Sequence, residues 1–90
     1  SMMGSIADSS GGADTYRASK AALNAYARAL FMTAAKPKGL AVLSLHPGWV
    51  KTDMGGENAP VTVEQSATGL ADVLAAHSGF LDYTGRELPW

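Results

Sequence analysis

Cysteine is absent from all 90 residues, which excludes a disulfide framework and thiolate metal sites. A chain without cysteine fits a reducing compartment, and the cytoplasm is its expected location. His46 and His77 are the only imidazoles, too few and too far apart to suggest a bound metal. Charge is also scarce: 17% of residues are charged, against roughly 25% in ordinary soluble domains. The formal net charge is −1, from seven basic and eight acidic residues. With no basic stripe, nucleic acid is not expected as a partner. No run approaches the roughly eighteen apolar residues of a membrane span. The opening Ser1-Met2-Met3-Gly4 lacks the basic and apolar regions of a secretion signal. A phosphate-cradling glycine loop is missing too, since neither Gly11-Gly12 nor Gly55-Gly56 follows a strand and opens a helix.

What is present is apolar and alternates in type. Hydrophobic residues make up 47% of the chain, and a chain of this length supports one small domain that buries a modest share of its surface. Residues 1–13 have loop composition. Asp14 or Thr15 is a plausible N-cap, and the helix that follows runs to about Ala35, where Pro37 and Gly39 stop it. Alanines lie all round this helix, so it is expected to be buried on every side. Leu40–His46 is a short apolar run between Gly39 and Pro47, as in a strand of a parallel sheet buried on both faces. Residues 47–61 form a long loop, and such loops at the carboxyl end of a strand hold ligands in α/β folds. Thr62-Val63-Glu64-Gln65 is a capping box. It opens a helix with apolar residues at Val63, Ala67, Leu70, Ala71, Leu74 and Ala75, ending near Ser78-Gly79. Phe80–Tyr83 reads as a final strand, followed by a turn and a tail. The order loop–helix–strand–loop–helix–strand is half of a doubly wound parallel sheet of Rossmann-like type.

Chemistry concentrates at Tyr16 and Lys20, four residues apart in a helix and therefore on one face. An isolated phenol is a poor acid or base at neutral pH. An ammonium group beside it favours the phenolate, and a phenol so supported can exchange a proton with a substrate oxygen. The surrounding text is Tyr16-Arg17-Ala18-Ser19-Lys20-Ala21-Ala22-Leu23-Asn24, followed by His46-Pro47-Gly48-Trp49-Val50-Lys51-Thr52-Asp53. Together these segments resemble the catalytic and cofactor-closing segments of the short-chain dehydrogenase/reductase family. The resemblance is nearest to the carbonyl-reductase branch with its sniffer-like and C-factor-like proteins. It covers nearly the whole chain but only the C-terminal portion of the family's fold. Residues 1–90 are thus expected to be the catalytic C-terminal portion, without the dinucleotide-binding half.

The resemblance implies that Tyr16 is the general acid/base, and that Lys20 both supports it and bonds the nicotinamide ribose of NAD or NADP. It also implies a serine that steadies the substrate oxygen, at the head of a Ser-x-x-Gly pattern. Ser1 heads such a pattern fifteen residues before Tyr16, and Ser5, eleven before, is the competitor. The family's relay asparagine belongs to an upstream helix, and Asn24 stands on another. Pro47, Gly48, Val50 and Thr52 would close over the nicotinamide. Trp49 would face the substrate or fill core space, His46 would be a satisfied core histidine, and Tyr83 and Trp90 would pack or meet a second subunit. The implied substrate is a small carbonyl compound or alcohol, and the implied assembly a homodimer or homotetramer. The fragment alone is expected to be inactive. The competing expectation is a non-enzymatic fragment that self-associates through its apolar helix.

Overall fold

The computed structural model describes residues 1–75 and 79–90. Helix α1 spans Asp14–Leu30, β1 Leu43–His46, α2 Val63–Leu74 and β2 Gly79–Asp82. The two strands pair in parallel, in register from Leu43 opposite Gly79 to His46 opposite Asp82. Parallel pairing requires a crossover, and α2 lies within it. The expected α/β order with a parallel sheet is therefore found.

Several boundaries differ from expectation. Helix α1 is entered through Ala13, in the left-handed region at φ 52° and with no side-chain cap, so Asp14 is already helical. Its carboxylate then meets the positive end of the helix dipole. Beyond Leu30 the chain continues through a π-helical turn, Phe31–Ala35, and a 3-10 turn, Lys36–Lys38, which Gly39 ends at φ 68°. Strand β1 begins at Leu43 rather than Leu40, and its residues are half-buried. It has one strand neighbour among the described residues.

The all-round burial expected of α1 does not occur. Asn24 is its one fully buried residue, at 6% exposed, while Tyr26 is 70% exposed and Leu23 and Leu30 are also open. The physical reason is that α1 packs chiefly on a small 3-10 turn, Met2–Gly4, and more lightly on β1. A ring of alanines permits close neighbours on every side without supplying them.

Helix α2 starts as expected. Thr62 Oγ1 accepts from the Gln65 amide at 3.1 Å, and the Thr62 amide donates to Gln65 Oε1 at 2.9 Å. The helix ends at Leu74 with Ala75 as C-cap, short of the expected end near Ser78-Gly79, and Gly79 already opens β2; His77 and Ser78 lie outside the described residues. Along α2, Ser66 and Val73 are buried, whereas Val63 and Leu74 of the apolar stripe are exposed. The core gathers Phe80, Leu81, Val73, Leu88, Val61, Ala59 and Ala35. Phe80 meets the Trp90 ring with centroids 5.5 Å apart, and the Arg28 guanidinium lies 6.0 Å from the Trp90 centroid. The Trp90 carbonyl accepts from the Ile6 amide at 2.6 Å, tying the tail to the opening loop.

After β2 the chain turns on Asp82, whose Oδ1 accepts from the Thr84 amide, the Thr84 hydroxyl and the Arg86 amide. Burial works to raise this carboxyl, but those bonds and the Arg86 charge outweigh it and hold it below the usual range. No described helix is long and apolar enough to cross a membrane.

Candidate functional site

Four segments converge on one cavity of about 700 Å³. They are the turn at Ser1–Met3, the first turn of α1 at Tyr16, the chain leaving β1, and the face of α2 from Val63 to Leu70. The cavity lies at the carboxyl end of β1, the usual ligand position in an open α/β sheet. Among the described residues no Lys, Arg, Asp or Glu lines it.

Tyr16 opens into the cavity and is 41% exposed. One helical turn on, Lys20 Nζ lies 5.4 Å from the centroid of the Tyr16 ring. Lys20 itself is half-buried and does not line the cavity. The turn that carries Ser1 is pressed onto the same helix. A β-carbon at Gly4 would sit 2.8 Å from the Lys20 carbonyl oxygen and 2.9 Å from Asn24 Nδ2. Only glycine permits that approach, which gives the Ser-x-x-Gly spacing a physical reason. The turn is also tied to the strand, since the Ser1 nitrogen donates to the Leu45 carbonyl at 3.3 Å.

Of the two candidate serines, Ser1 lines the cavity with Tyr16, and its Oγ accepts from the Met3 amide at 3.1 Å. Ser5 is almost fully buried away from the cavity, with its Oγ accepting from the Asp8 amide.

Pro47, Gly48, Val50 and Thr52 all line the cavity. The loop that carries them is bonded to itself. Val61 donates to the Trp49 carbonyl at 3.2 Å, and the Lys51 amide donates to the Val61 carbonyl at 2.8 Å. This parallel bridge uses the groups flanking Val50, so Val50's own amide and carbonyl face the other way. The Val50 carbonyl accepts from the Thr52 amide at 2.9 Å. Thr52 Oγ1 accepts from the Gly55 amide at 3.1 Å and reaches the Val50 carbonyl at 3.4 Å. Trp49 is 57% exposed in the cavity wall, and its Nε1–H donates to the Gly55 carbonyl at 2.7 Å.

Gly48 has φ 88°, and a β-carbon there would lie 2.9 Å from the Tyr83 ring. Tyr83 thus braces the Pro47-Gly48 turn from behind. His46 differs from its expected role as a satisfied core histidine. It lines the cavity, and its Nδ1 is buried without a partner among the described residues. Burial, foremost, holds its imidazole below the ordinary range, so the ring is neutral at pH 7.

The sequence did not point to Ser66, whose buried hydroxyl donates to the Pro47 carbonyl at 2.7 Å and fixes α2 to the turn. Its one signal is a polar residue adjoining the apolar stripe of α2. Ser66→Ala is expected to cost about 1–2 kcal/mol by leaving the Pro47 carbonyl unpaired, measured by urea unfolding. An unchanged midpoint would mean that water satisfies that carbonyl. Gly55 has only loop composition to mark it in the sequence, yet the Val50 carbonyl leaves no room for a side chain there. Met2, Met3 and Met54 also line the cavity without having been singled out.

No family profile matches the chain. It is 47% identical to C-signal of Myxococcus xanthus over 96 aligned positions, covering 100% of this chain and 57% of that protein. Among solved structures, it matches the carbonyl reductase Sniffer of D. melanogaster with a TM-score of 0.91 and 41% identity. The alignment covers all of this chain and 38% of Sniffer. It also matches an NADPH-bound carbonyl reductase from chicken fatty liver with a TM-score of 0.87 and 41% identity, over all of this chain and 40% of that one. The chain therefore spans little more than half of one relative and about two fifths of the others. At this identity and fold agreement, the chain matches the C-terminal part of carbonyl reductases of the short-chain dehydrogenase/reductase family.

Proposed function

We propose that these 90 residues are the catalytic, nicotinamide-closing portion of an NAD(P)-dependent carbonyl reductase acting in the cytoplasm. The dinucleotide-binding half would be supplied by sequence outside them. The observation that carries this reading is the meeting of Tyr16, Ser1 and the Pro47–Thr52 segment on one cavity, with Lys20 Nζ 5.4 Å from the Tyr16 ring. The related chicken and Drosophila proteins, named as carbonyl reductases, support the same class.

The residues present fit a nicotinamide. Gly48 offers backbone without a side chain, the Val50 amide faces away from its bridge to Val61, and Thr52 holds a hydroxyl at the wall. Val50 and Thr52 would hold the carboxamide or phosphate, and Lys20 the ribose. When bound, the reduced cofactor supplies a hydride to the carbonyl carbon. Tyr16 gives its proton to the carbonyl oxygen as the C=O π pair moves onto that oxygen. The Ser1 hydroxyl donates to the same oxygen and steadies the charge developing there. The Lys20 ammonium stabilises the phenolate left on Tyr16. Alcohol oxidation runs the same proton path backwards. A neutral His46 beside this path adds no competing charge to the wall.

The test compares the complete protein with the 90 residues alone. The complete protein is expected to oxidise NADPH or NADH with small aldehydes and ketones, and the 90 residues alone to show no turnover. Failure of the complete protein across such a panel would reject the reductase reading. Micromolar nucleotide binding by the 90 residues alone would reject the division of labour.

One observation favours a second reading, association. Leu23, Tyr26 and Leu30 are large apolar side chains exposed on one face of α1. A contiguous apolar face of this kind marks an interaction surface. Light scattering on the purified protein decides it: a dimer or tetramer fits, and a well-behaved monomer argues against it.

A further inference from the structure

Gly55 is held by two side chains of its own loop. Its amide donates to Thr52 Oγ1 at 3.1 Å, and its carbonyl accepts from Trp49 Nε1 at 2.7 Å. The shorter bond has the geometry of a strong N–H···O contact. The Val50 carbonyl oxygen stands where a β-carbon of Gly55 would be, which limits how far that residue can shift. The Gly55 amide takes up acceptor capacity on the Thr52 hydroxyl and leaves its proton free to donate. Within the loop the outlet for that proton is the Val50 carbonyl at 3.4 Å, too long for a good O–H···O bond. The hydroxyl is therefore set as a donor whose partner inside the loop is poor.

We propose that Trp49 is a positioning residue for cofactor recognition: by gripping the Gly55 carbonyl, its indole N–H orients the amide that polarises Thr52 toward an acceptor oxygen on the nicotinamide cofactor. The inference rests on the reading that Thr52 contacts that cofactor. Trp49 acts two bonds away, through Gly55, and its cavity-facing ring is a separate matter. A phenyl ring retains the wall but removes the grip.

A double-mutant cycle on the complete protein tests this, with NADPH affinity measured by calorimetry. Trp49→Phe is expected to weaken NADPH binding about three- to tenfold, the range of one lost hydrogen bond. In a Thr52→Val background the same change is expected to have less than about a twofold effect, because the residue through which it acts is gone. The KM for the carbonyl substrate is expected to move less than the affinity for NADPH. Should the two single effects simply multiply, Trp49 does not act through Thr52 and the inference is overturned while the cofactor reading stands. Should Thr52→Val leave NADPH affinity unchanged, Thr52 is no cofactor contact and both fall together. If Trp49→Phe does not fold, exchange of the wild-type Trp49 indole proton decides. Slow exchange supports the grip on Gly55, and exchange at the rate of free indole overturns it.

Discussion

Tyr16→Phe in the complete protein is expected to lower kcat by about 10²–10⁴-fold, the usual contribution of a positioned proton donor, with NADPH affinity nearly unchanged. The substitution removes one oxygen and keeps the ring. Tyr16 is 41% exposed, so folding loses little when its hydroxyl goes. The effect therefore falls on the chemical step. A Lys20→Met variant should add a second signature, because Lys20 is assigned both to the phenolate and to the cofactor ribose. It should lower kcat and weaken NADPH binding together, whereas Tyr16→Phe lowers kcat alone. Steady-state kinetics with a nucleotide titration separates the two. A Tyr16→Phe enzyme within a fewfold of wild type would end the proton-donor assignment.

Gly48→Ala is expected to cost about 2–5 kcal/mol. Two costs combine. Gly48 has φ 88°, where a residue with a β-carbon is destabilised by roughly 1–2 kcal/mol. The new methyl would also press on the Tyr83 ring at 2.9 Å and on Val61 at 3.3 Å, and overpacking of this kind adds about 1–3 kcal/mol. Gly56 supplies the control. It has φ 81°, but a β-carbon there meets nothing within 4 Å, so Gly56→Ala should show only the conformational part. Urea unfolding of the two variants measures the difference. Equal losses would mean that Tyr83 yields freely and does not brace the turn.

The local features of the fold were legible in the sequence, and the reason is range. The Tyr16–Lys20 juxtaposition and the Thr62–Gln65 capping box are set within one helical turn. The parallel pairing of β1 and β2 followed from apolar runs separated by a helix. Contacts between distant residues were not legible. Nothing near Ser66 in the chain says that it will reach Pro47, and nothing near Gly69 says that a side chain there would strike the Tyr83 carbonyl. Composition also misled about α1. Its alanines suggest all-round burial, but burial depends on what arrives at each face, and the exposed Leu23 and Tyr26 show a face without a neighbour among the described residues. The choice between Ser1 and Ser5 needed coordinates, because both lie in small-residue sequence and only the packing of Gly4 on Lys20 sets which one turns inward.

The hydrogen bonds between Trp49, Lys51 and Val61 staple the two ends of the long segment after β1 to each other. A segment so stapled has already surrendered most of its freedom before any guest arrives. Recognition there is spared much of the ordering entropy that a slack loop would charge against affinity. Its arrival rate should then be limited by encounter rather than by rearrangement.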